Sequence, residues 1–202
     1  MSSEQNDFWA NVSAVAVSPV AIAAGFAKGA YDATRHLIAL GHQKIALVSG
    51  PLATLESRLR EDGFLRALKD SGVEFGRERD VKILNFSEGE GYDAVKLLLT
   101  LPERPTAIFV SAGDLTALGV LTALKEAGIK VPGDISVVGF DDLDFAATLT
   151  PPLTTVRQPL AKMGETLMLR LLDALKNPGT HQPGGDLIDA ELIIRMSTGQ
   201  CL

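Results

Sequence analysis

The chain has 202 residues, of which 46% are hydrophobic and 22% charged, and a formal net charge of -6. This is globular composition, enough for one large domain or two small lobes, and it excludes a disordered chain. The acidic balance argues against a stand-alone nucleic-acid binder. The one cysteine, Cys201, excludes a disulfide framework and a cysteine zinc cluster and fits a reducing cytoplasm.

Residues 12–27 are apolar, but the run is too short for a bilayer and Pro19 interrupts it. Before it stand Glu4 and Asp7 and no Lys or Arg, so a secretory n-region is missing. A protein that is neither exported nor membrane-bound is expected.

Val20 to Ala23 reads as a possible strand, and Gly29 to Leu40 as a helix stopped by Gly41. Ile45 to Val48 is a β-rich run closed by Ser49, Gly50 and Pro51. Leu55, Leu59, Phe64, Ala67 and Leu68 then recur near helical period, with Gly72 as the stop. A strand at Val81 to Leu84 precedes a helix over 89–101 with Tyr92, Val95 and Leu98 on one stripe. A strand at Ala107 to Val110 precedes a helix that Asp114 begins and Gly128 ends. Ile135 to Val138 is the fourth strand. Near-continuous apolar strands separated by helices predict an α/β fold, a parallel sheet covered on both faces.

The flanks read differently. A long loop runs from Phe140 to Arg157, stiffened by Pro151 and Pro152. A helix over 160–175 carries Leu160, Met163, Leu167, Leu171 and Leu175 on one stripe. Residues 177–186 are a turn-rich connector, and Leu187 to Arg195 is a last strand. Two amphipathic helices with at most one strand of their own need a second surface. The expected division is a remnant of an N-terminal lobe at 1–43 and 157–186, with a C-terminal lobe at 44–156 and 187–202.

Catalytic motifs are absent: no Gly-x-Ser-x-Gly elbow, P-loop, Gly-x-Gly-x-x-Gly or His-Glu-x-x-His occurs. His36, His42 and His181 are scattered and read as surface or capping residues. Asp141, Asp142 and Asp144 follow the fourth strand, where ligands of open α/β sheets bind. A carboxylate there accepts hydrogen bonds from vicinal hydroxyls or holds Mg2+; the alternative is turn capping. Asp141 is the stronger ligand candidate of the three. Asp114 is equally an N-cap or a ligand contact. Arg58 and Arg60 offer guanidinium donors on the helix after the first strand.

Further residues carry a resemblance. Gly29-Ala30, Ala33-Thr34-Arg35-His36-Leu37, Leu40-Gly41-His42 and Ser49-Gly50-Pro51 are similar to the lac-repressor family. Ser57-Arg58-Leu59-Arg60 with Gly63-Phe64, Pro105-Thr106-Ala107 and Val131-Pro132 continue the pattern. So do Asp134 through Asp142, Pro151 through Val156, Gln158-Pro159, Met163-Gly164, Glu191-Leu192, and Arg195 with Ser197 through Gly199. The match keeps one register from about residue 20 to 199.

The resemblance implies a periplasmic-binding-protein-like effector domain of two lobes, the first incomplete, with a sugar or similar polar effector bound between them. It implies a homodimer, no cofactor, and operator DNA bound only through a helix-turn-helix head, for which residues 1–19 offer no counterpart. By motif, Arg60 resembles the effector-binding arginine and Asp141 the effector-binding acid. Phe86 lies where the family places an aromatic against the ligand, Gln158 near the cleft, and Asp114 in the segment where the family usually has Asn-Asp. Here Gly113 stands in place of that Asn. The function expected is a cytoplasmic effector sensor of a transcription regulator, not an enzyme. The alternatives are a stand-alone sugar-binding protein of the transport class, and, with less support, an Mg2+ enzyme using 141–144.

Overall fold

In a computed structural model the structure describes residues 20–177 and 188–201. The elements are α1 (Val20–Ala39), β1 (Ile45–Ser49), α2 (Leu55–Asp70), β2 (Asp80–Lys82), α3 (Glu88–Leu99), β3 (Ala107–Val110), α4 (Asp114–Glu126), β4 (Ser136–Asp141), β5 (Thr154–Arg157), α5 (Leu160–Lys176) and β6 (Glu191–Ile193). Short 3-10 turns occupy Arg77–Arg79 and Asp144–Ala147. Among the described residues, no helix is long and apolar enough to cross a membrane.

The strands form one six-stranded sheet in the order β2-β1-β3-β4-β5-β6. The pairs from β2 to β5 are parallel and β5–β6 is antiparallel. The expected parallel sheet with helices on both faces is found, with β6 running against it. β1, β3 and nearly all of β4 are buried at every position, the consequence of helices on both sides. On one face Val95 and Leu98 of α3 and Val120 and Leu124 of α4 meet Val48, Ile108 and Val137. On the other, Ala30, Ala33 and Leu37 of α1 and Phe64 and Leu68 of α2 meet Leu47, Phe109, Phe140 and Val156.

Sequence features set the helix ends. Thr54 accepts a bond from Ser57 N at the start of α2, and Ser87 one from Glu90 N at the start of α3, each satisfying a donor of the first turn. Helix pairs cross at glycines: a Cβ on Gly63 would lie 2.1 Å from Ala27 O, and one on Gly119 1.8 Å from Glu88 O.

Three expectations change. Val20 to Ala23 is the first turn of α1, not a strand. The alanines of that run favour helix, and their helical pattern continues without a break to Ala39. The loop from Phe140 to Arg157 resolves into the end of β4, a 3-10 turn and β5. The helix expected as a lobe remnant at 29–40 is part of the sheet's own cover, since Ala30, Ala33 and Leu37 are fully buried there. Of the stripe on the helix over 160–175, Leu160, Leu167 and Leu175 are exposed and Met163 and Leu171 half-buried, and Met168, Leu169 and Leu172 off the stripe are exposed as well. Residues 178–186 of the connector, His181 among them, lie outside the described residues.

Candidate functional site

Strands β1 and β3 are neighbours whose following helices lie on opposite faces of the sheet. In open sheets ligands bind beyond the carboxyl ends of the strands at such a reversal. There the chain forms a recess of about 260 Å3 lined by Glu56, Arg60, Phe86, Ala112, Gly113, Leu115, Asp141 and Leu143. Arg60, Phe86 and Asp141, drawn from three separate stretches of sequence, meet in it.

Arg60 projects from α2 and is buried. Its guanidinium lies 3.9 Å from the centroid of Phe140 and 5.2 Å from that of Phe26, in the cation–π range. Nη1 donates to Ser111 O at 2.8 Å and Nη2 to Asp141 Oδ1 at 3.2 Å. Nε has no hydrogen-bond partner among the described residues. Burial lowers the arginine's affinity for its proton, with Asp141 and Glu56 acting against that. Burial likewise raises the Asp141 carboxyl above its ordinary value, opposed by Arg60 and by a bond from Gln158.

Gln158 Nε2 donates to Asp141 Oδ1, the oxygen that Arg60 also holds. Oδ2 is left beside Gly113, where a Cβ would stand 2.7 Å from it. Gly113 has φ 115°, which glycine alone adopts readily. This glycine therefore gives the carboxylate its room. Phe86 closes the other side, its ring against Gly50, where a Cβ would come within 2.2 Å of it. Phe86 has φ 52°.

Asp114, expected among the effector contacts, lies beneath the site. It is fully buried. Its Oδ1 accepts from Thr155 Oγ1 at 2.6 Å and its Oδ2 from Leu143 N at 2.9 Å. Gly113, not Asp114, occupies the cap of α4. The carboxylate faces inward because β5 supplies a hydroxyl there, a partner that local sequence does not reveal. Burial pushes the Asp114 carboxyl up to about 6 despite these bonds.

The other acids separate. Asp142 accepts from Arg157 Nε and from Arg195 Nη2, each at 2.6 Å. Asp144 opens the 3-10 turn at an exposed position. Among the described residues, no three His, Cys, Asp or Glu side chains converge to hold a metal. Arg58 donates to Leu52 O and Ala53 O, tying down the turn before α2.

Sequence reasoning gave no site role to Ser111, Phe26, Phe140 or Arg195, which hold Arg60 and Asp142 in place. His36 and His42 also have partners: His36 Nε2 meets Thr198 Oγ1, and His42 meets Thr106 Oγ1 and Ser136 Oγ, all at 3.0 Å. Through Thr198, and through Gly199 O at 3.1 Å from His42 Nε2, they hold the carboxyl-terminal segment at the sheet's other end.

A carboxylate and a guanidinium bonded to one another in the lining of a recess, beside an aromatic ring, present an acceptor, a donor and an apolar wall. Such a set has the chemistry by which α/β domains hold small polar ligands. The class is a ligand-binding α/β domain. A family model described as a periplasmic binding protein-like domain matches residues 34–198. The chain belongs to that family, and its solved structural neighbours include lac-repressor-family regulators.

The transcriptional repressor CytR of Escherichia coli K12 is 39% identical over 170 residues, 84% of this chain and 49% of that protein. The ribose operon repressor of the same strain is 39% identical over 150 residues, 74% of this chain and 45% of that protein. A solved lac-repressor-family regulator from Enterococcus faecium with bound ribose has 31% identity and a TM-score of 0.76, over 88% of this chain and 65% of that one. The chain spans about half the length of the curated relatives it matches. These relatives are repressors, not enzymes.

Proposed function

We propose that this chain is the effector-sensing part of a cytoplasmic transcription repressor, binding a sugar or similar polar ligand. The observation that carries this reading is the Arg60–Asp141 pair in a recess at the carboxyl edge of the sheet, beside Phe86. Asp141 Oδ2 accepts from ligand hydroxyls, Arg60 donates, and Phe86 covers an apolar ring face. Ribose bound by the Enterococcus faecium relative supports the ligand class.

In this reading 44–156 and 187–202 form one lobe, joined by α1 through its packing on the sheet. Residues 157–186 belong with the opposite lobe, and the ligand sits between the two. The regulator works as a homodimer, and occupancy of the cleft controls DNA binding by a helix-turn-helix head.

A thermal-shift titration with ribose, other sugars, nucleosides and sugar phosphates tests it, because a ligand that binds the folded state raises its melting temperature. Saturable stabilisation by one of them is expected, lost in Arg60→Ala and Asp141→Ala. No stabilisation by any, or equal stabilisation of both variants, overturns the reading.

A further inference from the structure

The turn that carries Asp141 is held in an unfavourable backbone. Asp141 and its neighbour Asp142 have φ 108° and 54°, and L residues persist there only where their surroundings over-determine them. The restraints are visible. Asp142 Oδ1 accepts from Arg195 Nη2 and Oδ2 from Arg157 Nε, each at 2.6 Å. The Asp142 side chain is 7% exposed and that of Arg195 17%, so this bond is little screened by water.

Arg195 is itself fixed: Nη1 donates to Leu153 O at 2.7 Å and its backbone N to Thr154 Oγ1 at 2.9 Å. Burial works to raise the Asp142 carboxyl, but Arg195 and Arg157 outweigh it and hold the group below its ordinary value. Arg157 ends β5, and Gln158 follows it at the exit toward α5. Consecutive acids of the turn therefore bond consecutive residues of that exit, Asp142 to Arg157 and Asp141 to Gln158.

We infer that Asp142 and Arg195 are positioning residues for the effector site: their ion pair holds the left-handed turn that aims Asp141 at Arg60 and ties that turn to the exit toward α5. The inference rests on the effector reading of the recess and deepens it. Ligand binding at Asp141 and the course of the chain into α5 then share one restrained turn. A ligand that draws Asp141 toward itself pulls on Gln158 directly and on Arg157 through Asp142.

Amide hydrogen exchange of the whole chain, with D-ribose as the binding probe, tests this. Asn and Gly adopt left-handed backbone most readily. If backbone preference alone held the turn, Asp142→Asn and Asp142→Gly would keep it. The expected result is the opposite: in both, and in Arg195→Met, amides 141–143 exchange at least about tenfold faster. Amides of β1 and β3 stay as slow as in the unaltered chain. Ribose affinity falls at least about tenfold, and Arg195→Lys, which keeps the charge, recovers part of it.

Wild-type protection of 141–143 in these variants overturns the inference, as does unchanged affinity with a loosened turn. Equal acceleration in β1 and β3 also overturns it, since the role is then general stability. If the unaltered chain does not bind ribose, the effector reading fails for that sugar. The exchange measurement then decides by itself whether the ion pair holds the turn.

Discussion

Asp114 shows how a single burial changes a residue's role. From its place after β3 it was equally an N-cap or a ligand contact; in the fold it is a buried tie between α4, β5 and the Leu143 turn. Burial raises its carboxyl from the ordinary 3.8 to about 6, and Asp141 and Asp142 add to the effect. The folded state therefore takes up this proton more readily than the unfolded chain. That contribution is fully present below about pH 3.8 and is lost as pH rises through about 6. A displacement of this size corresponds to about 3 kcal/mol.

Asp114→Asn can keep both bonds, its oxygen accepting from Leu143 N and its amide donating to Thr155 Oγ1. Urea unfolding across this range is expected to show a flatter pH dependence in the variant, with a gain in stability over the unaltered chain at pH 8. Parallel curves for the two proteins would contradict the assignment. At Arg60 and Asp141 the sequence was more informative. Both belong to compact motifs, Arg-Leu-Arg in the helix after β1 and Gly-Phe-Asp-Asp at the end of β4, and the ends of parallel strands place both near one edge of the sheet.

At the scale of elements, the two helix pairs owe their closeness to glycines. Gly119→Ala would push a methyl into Glu88 O, and separating α4 from α3 is expected to cost about 1–3 kcal/mol, read as a lower urea midpoint with unchanged slope. The two amphipathic helices that looked alike in sequence should respond in opposite ways. Leu37→Ala on α1 empties a fully buried position and is expected to cost about 2–5 kcal/mol. Leu169→Ala on α5 alters a residue that is 60% exposed and is expected to change stability by less than about 0.5 kcal/mol.

The carboxyl-terminal strap is pH-sensitive in the opposite sense to Asp114. Burial lowers the affinity of His36 and His42 for protons. Their contribution is present above the ordinary 6.5 and lost as pH falls through the lowered folded values. In the unaltered chain, amides 197–201 are expected to lose protection, measured against their intrinsic exchange rates, as pH falls below the ordinary imidazole range. In His42→Gln this acid-induced change should shrink.

For the molecule as a whole, the net charge of -6 opposes DNA phosphates instead of steering toward them. A fluorescence-anisotropy titration of the purified chain with duplex DNA at low salt, where electrostatic binding is strongest, is expected to show no saturable binding. Sequence-dependent saturation would mean that this chain carries a groove-reading element of its own. The exposed leucines of α5 mark the other large-scale feature, an apolar stripe that the six-stranded sheet does not cover.

By itself the sequence determined the alternation of strands and helices, the parallel sheet buried on both faces, the family, and the short motifs that carry Arg60 and Asp141. These are periodic or local properties: apolar runs and short motifs fix them before any long-range contact forms. Only the tertiary structure decided that α1 covers the sheet while α5 does not. An amphipathic stripe requires a partner without naming it. Tertiary packing also turned Asp114 inward, because its partner hydroxyl on Thr155 lies 41 residues away. It brought Arg195 to Asp142 across 53 residues. Pairings at that separation are set by which strands lie side by side, and no pattern within a window of sequence records it.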